Sequence, residues 1–154
     1  MPSYVLRPVR PGDADAIANH RAQMFHDMGD VSDAEVPPLV AASCDQLAPL
    51  IESGEYFGWV IEGDGAVVAG VGVLLHRLLP RGRDLGLRQE AYVLNVFTEP
   101  AHRRRGLSRR LMLELIAWCR AHGITRITLH AAPAGRPLYE SLGFTDTNEM
   151  RLAL

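Results

Sequence analysis

The run EAYVLNVFTEPAHRRRGLSRRLMLELIAWCRAHG, Glu90 to Gly123, decides how this chain is read. Its opening, EAYVLNVFT, is a nearly unbroken apolar stretch, the pattern of a strand buried on both faces. Pro100 stops that strand. Arg103, Arg104, Arg105 and Gly106 follow, and then Leu107, Leu111, Leu115 and Cys119 recur at intervals of four, with Met112 and Ile116 beside them. This spacing predicts a helix with one apolar stripe, Arg109, Arg110, Glu114 and Arg120 falling mainly on the other side. Gly123 is a natural stop. A strand running into a glycine-opened helix gathers unpaired N–H groups and the positive end of the helix dipole at one place.

Three readings of the arginine triplet are open at this point: a solvated helix-start cluster, a nucleic-acid patch, or a phosphate cradle. A cradle needs donors, positive charge and a residue without a Cβ near the backbone, and Arg103–Ser108 contains all three. Neither a GxxxxGK[ST] loop nor a GxGxxG fingerprint is present. Interleaved aromatics are missing and the chain carries a net charge of -2, which weakens the nucleic-acid reading.

Working outward, SYVLRPV reads as a first strand, and Asp13 as the cap of a helix running to about Met28 and ended by Gly29. Pro37, Pro38 and Pro49 punctuate residues 30–55, so short helices are expected there. YFGWVIE and AVVAGVGVLLHRLL flank a Gly-Asp-Gly turn, a hairpin signal, and Gly70 and Gly72 suggest a bulge or a close backbone approach. ITRITLHAA reads as a strand, GRPLYESLGF as a short helix closed by Gly143, and TNEMRLAL as a last strand. The order, βαα, a hairpin, then βαβαβ, predicts one α/β domain over residues 1–154 with a mixed sheet.

Composition sets the outer limits. With 47% hydrophobic and 22% charged residues the chain is globular in type. It has no apolar run of membrane-spanning length and no secretory leader pattern, so no membrane partner and a cytoplasmic setting are expected. Cys44 and Cys119 show neither metal spacing nor a disulfide framework, and the six histidines form no metal pair. Residues 1–64 carry 11 acidic residues against 3 arginines, whereas residues 65–154 carry 7 against 13. That asymmetry suits a protein that handles a cationic and an anionic partner together. Compositional drift in a chain whose 16 basic residues are all arginine is the alternative.

NVFTEPAHRRRGLSRRLM resembles the acetyl-coenzyme A motif of the GNAT N-acetyltransferase superfamily, a strand followed by Arg/Gln-x-x-Gly-x-Gly/Ala at a helix start. Arg103, Gly106 and Ser108 occupy its three defining positions, with Ser108 departing from the usual Gly/Ala. GRPLYESLGF is similar to the family's second signature, whose tyrosine is Tyr139. Many relatives carry an asparagine seven residues before that tyrosine, where this chain has Ala132. The resemblance implies a GNAT-like fold: a mixed, mostly antiparallel twisted sheet flanked by helices, with a central splayed strand pair.

It also implies acetyl transfer from acetyl-CoA to a primary amine of a small molecule or peptide, by direct attack in a ternary complex. Backbone groups of Val96, Phe97 and Thr98 would meet pantetheine. Arg103, Arg104, Arg105, Gly106, Leu107 and Ser108 would hold the pyrophosphate, mainly through N–H groups. Tyr139 would protonate the leaving thiolate. Glu90 would take the amine proton, or is simply a solvated carboxylate at a strand start. On an ideal strand Glu90 and Tyr92 share a side with Leu94 and Val96.

Asn95, polar within an apolar run, would line the acceptor site or satisfy a broken ladder. Asp27, Asp30, Asp33 and Glu35 would hold a cationic amine, or form a solvated face. His102 is expected at the cradle rim and His130 near the thioester. No metal is expected, and a homodimer is possible. The alternatives are a non-catalytic acetyl-CoA-binding regulatory module and a basic nucleic-acid-binding domain.

Overall fold

The computed structural model describes residues 2–154. Its strands are β1 (Tyr4–Pro8), β2 (Tyr56–Gly63), β3 (Ala66–Arg77), β4 (Gln89–Thr98) and β5 (Ile127–Leu129). Its α-helices are α1 (Ala14–Asp27), α2 (Val36–Ser53), α3 (Leu107–Ala121) and α4 (Arg136–Ser141). The strands form one sheet in sequence order, antiparallel throughout except for the parallel pair β4 and β5. This is the mixed, mostly antiparallel sheet flanked by helices that the sequence predicts. Asp64 and Gly65, at φ 53° and 83°, make the two-residue turn of the β2–β3 hairpin.

The apolar stripe of α3 performs as its spacing requires. Leu107, Leu111, Met112, Leu115 and Cys119 are buried against Ile61, Val71, Val73, Ala91 and Val93 of the sheet. Strand alternation sends the other face toward α1 and α2, where Ala14, Ile17, Ala18, Leu47 and Ile51 enclose Tyr56. Each large apolar side chain buried in these layers contributes roughly 1.5–3 kcal/mol.

Three local expectations fail. Residues 36–53 form one helix, not several. Pro37 and Pro38 sit in its first turn, where the missing N–H has no partner to lose, and Pro49 lies near its last turn. Asp13 precedes α1 without capping it. Its carboxylate instead accepts from the Arg7 guanidinium at 2.8 Å and from the Arg10 N–H at 2.9 Å. Finally, residues 145–154 form no strand, and Met150, Leu152 and Leu154 stand exposed. Their alternation needs an edge to pair with, and β5 is only three residues long.

The most consequential irregularity lies in β4. Gly70 faces Phe97 and Gly72 faces Leu94, so two steps on β3 match three on β4. The additional residue is Asn95, with a left-handed φ of 56°. It resets which side chain faces where. Leu94 belongs to the α1–α2 layer, and Asn95, instead of crossing over, turns to the same side to meet Arg21 and Tyr56. Val96 then joins the α3 layer, and Phe97 meets His20 of α1. The ideal alternation that grouped Val96 with Glu90, Tyr92 and Leu94 therefore ends at the bulge.

Gly72 permits this arrangement, because a Cβ there would lie 2.0 Å from the Tyr56 hydroxyl oxygen. Replacing Gly72 with Ala is expected to lower unfolding free energy by about 2 kcal/mol or more in urea melts, since Tyr56 is fully packed and cannot retreat.

Candidate active site

Strand β5 pairs with β4 only where Ala91, Tyr92 and Val93 face Ile127, Thr128 and Leu129. Beyond Val93 the two strands part, and among the described residues no strand pairs with 94–98 of β4 on that side. The chain then turns through Pro100–His102 and two left-handed residues, Arg104 at φ 61° and Gly106 at φ 75°, into α3. Among the described residues, the N–H groups of Arg104 to Arg109 have no backbone partner. No side chain caps α3 either. These donors border a cleft of about 190 Å³ whose lining includes Thr98, His102, Arg104, Gly106, Ser108 and Leu138. Free backbone donors at a helix start attract negative charge.

The three arginines differ in their employment. Arg103 donates from Nε to the Thr98 carbonyl at 2.9 Å and from Nη2 to Asp27 at 2.8 Å, clamping the end of α1 to the end of β4. Hydrogen bonds from Arg103 and Gln23 hold the Asp27 carboxyl below its ordinary pKa. Arg104 and Arg105 are exposed and appear in no ion pair among the described residues. Arg110 donates to the Tyr4 carbonyl and Arg109 to Ser141. Leu107 is buried and anchors the helix start. Ser108 uses its hydroxyl to meet Thr98 Oγ1 at 2.9 Å, tying the first turn of α3 to the end of β4. His102 lines the cleft and meets the Tyr4 hydroxyl at 2.9 Å.

Tyr139 follows Leu138 on α4. Its ring packs on Gly135, where a Cβ would lie 3.0 Å from the ring, and edge-on to Phe144. Its hydroxyl is not sealed in the core without a partner, and burial of the side chain pushes its pKa up. A tyrosine so placed keeps its proton at neutral pH. Ala132 spends its carbonyl on the N–H groups of Gly135 and Arg136, closing the turn that opens α4.

Glu90 lies on β4 well before the bulge. Its Oε2 accepts from Thr128 at 3.0 Å and pairs with Arg126 at 3.1 Å, while Oε1 faces His76 at 3.6 Å. His76 stacks on Tyr92, whose hydroxyl meets His130 at 2.9 Å, and Arg151 reaches the other ring nitrogen of His130 at 2.8 Å. Because guanidinium only donates, that nitrogen accepts, and His130 carries its proton toward Tyr92. The acidic residues near the end of α1 are mostly engaged. Asp27 holds Arg103, Asp33 meets His26 at 2.6 Å, and Glu35 accepts from Ser32. Cys119 is buried in the core, and burial raises its thiol pKa. The Cys44 thiol donates to Asp15, which raises its pKa too. No cluster of metal ligands exists among the described residues.

Sequence reading missed Arg21 and Tyr56. Asn95 Nδ2 donates to the Tyr56 hydroxyl at 3.1 Å, and Arg21 Nη1 donates to Asn95 Oδ1 at 2.7 Å. Burial pushes the Tyr56 pKa up to about 12, against smaller opposing effects of Asn95 and Arg21. The one available signal was Asn95 itself, a polar residue in an apolar strand that had to find partners.

The Acetyltransferase (GNAT) family model matches residues 17–144. The chain belongs to that family. It is 32% identical to a GCN5-related N-acetyltransferase from Ralstonia eutropha JMP134, with a TM-score of 0.90 and 99% of each chain covered. It shares its fold with a predicted acetyltransferase from Clostridium acetobutylicum solved with acetyl-CoA, at 20% identity and a TM-score of 0.85, covering 99% of this chain and 96% of that one. It is also 25% identical over 123 residues to the glucosamine 6-phosphate N-acetyltransferase of Trypanosoma brucei brucei, covering 78% of this chain and 81% of that one.

Gly106 adopts its left-handed turn where a Cβ would meet no protein atom, so an added methyl projects into open space at the cleft. Gly106→Ala is expected to weaken coenzyme A binding about 10-fold by calorimetry, combining ~1 kcal/mol of backbone strain with obstruction of the donors.

Proposed function

We propose that this chain acts as a single-domain N-acetyltransferase, moving the acetyl group of acetyl-CoA to a primary amine of a small molecule or peptide within a ternary complex. The observation that carries the reading is the row of free N–H groups from Arg104 to Arg109, set beside the unpaired edge of β4. These donors suit the pyrophosphate, with Arg104 and Arg105 adding charge from solvent. Arg103 contributes indirectly, by holding the cradle's shape. Val96, Phe97 and Thr98 present backbone groups to the pantetheine arm. The commitment of Arg103, Arg109 and Arg110 to internal partners favours this reading over a nucleic-acid surface.

Acetyl-CoA supplies an activated thioester. The chain's residues must then manage two protons and one developing charge. An aliphatic ammonium with a pKa near ~10 has to lose a proton before its nitrogen can attack. Glu90 is the proposed acceptor of that proton, with Arg126 and Thr128 fixing its carboxylate. A free N–H on the β4 edge stabilises charge on the carbonyl oxygen as the C–N bond forms. The C–S bond breaks as Tyr139 gives its proton to the sulfur, and the proton that the nitrogen sheds on becoming an amide restores the tyrosine through solvent. The raised pKa of Tyr139 keeps that proton available, which favours catalysis over a module that only binds coenzyme A.

The test is a screen of primary amines with acetyl-CoA, following release of free thiol. On an accepted amine, Tyr139→Phe is expected to lower kcat about 10- to 100-fold with acetyl-CoA KM little changed, and Glu90→Gln to lower kcat about 10-fold. Unchanged turnover in either variant removes that residue from the mechanism.

The exposed alternation of Met150, Leu152 and Leu154 supports a homodimer in which residues 147–154 form a strand on a second copy. Light scattering is expected to give the mass of two chains, and of one chain after removal of residues 148–154. A full-length chain that is monomeric at micromolar concentration contradicts this arrangement.

A further inference from the structure

We propose that Arg21 selects an acceptor whose amine is accompanied by an acidic group, a carboxylate or a phosphate monoester. The proposal rests on the acetyltransferase reading and deepens it. Asp27, Asp30, Asp33 and Glu35 are expected from the sequence to hold a cationic amine or to form a solvated face, but several carboxylates around the sheet and α1 are spent on the fold's own groups. Asp13 and Glu62 hold Arg7, Asp27 holds Arg103, Asp33 holds His26, and Glu99 faces His20 at 3.1 Å.

Arg21 is one of several arginines without an ion pair among the described residues, and it is set apart by lying against the bulge. It is half-buried on α1, yet no carboxylate forms an ion pair with it among the described residues. Its orientation is set by two contacts. Nη1 donates to Asn95 at 2.7 Å, and the guanidinium carbon lies 4.8 Å from the Phe25 ring centroid. Nε and Nη2 have no acceptor among the described residues, so most of the five guanidinium donors remain unused. A partly desolvated guanidinium held in a fixed pose with free donors is preorganised for a bidentate anion.

Its position gives that anion a role. Asn95 is the bulge residue, on the stretch of β4 that has no β5 partner. The acetyl group must meet the acceptor near that edge, with α1 above it. An acid bound by Arg21 therefore stands beside the reacting amine and holds it at the splayed strand. Lysine there would keep the charge but lose the planar fork and the stacking on Phe25.

The experiment uses the full chain with saturating acetyl-CoA and two matched amine pairs, glucosamine 6-phosphate against glucosamine and serine against serinamide. Wild type, Arg21→Gln and Arg21→Lys are compared by thiol release. In wild type, kcat/KM should favour the acidic member of at least one pair by about 30-fold, the range of a charge-assisted hydrogen bond. Arg21→Gln should reduce that ratio to under about 3-fold by raising the KM of the acidic member, and Arg21→Lys should fall between. The discriminating pair identifies the acid as phosphate or carboxylate.

A purely structural role for Arg21, through Asn95, would lower both members of a pair equally. Equal loss overturns the proposal, as does a wild-type enzyme without preference. If acetyl-CoA binds but none of the four amines is acetylated, calorimetry of glucosamine 6-phosphate and serine into the coenzyme A complex decides. Binding that Arg21→Gln abolishes supports the assignment, and binding absent or unaltered overturns it. Failure to bind acetyl-CoA removes the acetyltransferase reading, and this proposal with it.

Discussion

A single left-handed residue in the central strand organises this molecule. Asn95 occupies a backbone conformation that is unfavourable for most L-residues but tolerated by asparagine, and it is stabilised there by its side chain. The amide donates to Tyr56 on β2 and accepts from Arg21 on α1, so the bulge is pinned from two elements at once. Tyr56 in turn needs the empty space at Gly72 of β3. Four residues from four elements thus form one coupled unit. It rotates the end of β4 by one residue relative to its beginning, and β4 carries no β5 pairing beyond Val93.

The charges are distributed around that unit in an orderly way. Arg7 joins β1 to the start of α1 through Asp13 and to β2 through Glu62. Burial alone would raise the Asp13 pKa, but Arg7 and the Arg10 N–H outweigh it, and the carboxyl lies below its ordinary value. Arg103 joins the other end of α1 to the end of β4. Helix α1 is therefore clamped by an arginine at each end, which holds its middle, with Arg21, over the bulge. Ser108 adds a third tie, between β4 and the first turn of α3. The N–H groups at the start of α3 stay free among the described residues, with Arg103 and Ser108 bonded elsewhere.

The motif Arg103–Ser108 was legible because its information is local. A strand, a proline stop and a glycine with positive φ define a helix start whatever surrounds it, and the stripe Leu107–Cys119 names its buried face. The same holds for the hairpin, whose two-residue turn is written at Asp64 and Gly65. The helix at residues 36–53 was misjudged because proline's cost depends on its position within a helix, not on its presence. The C-terminal strand was misjudged for the converse reason. Alternation at Met150, Leu152 and Leu154 describes a strand that needs a partner, and among the described residues no strand of the sheet pairs with it.

By itself, then, the amino-acid sequence determined the order of elements up to α4, the buried face of α3 and the glycine-opened start of that helix, since each depends on periodicity or on one turn. Tertiary structure alone decided what the polar side chains do. The roles of Asn95, Arg21 and Tyr56 depend on residues 39 and 74 positions apart. Arg103 finds its partner 76 positions away in Asp27. Local patterns specify backbone conformation, whereas a charge takes its meaning from whichever opposite charge or acceptor folding brings within about 3 Å.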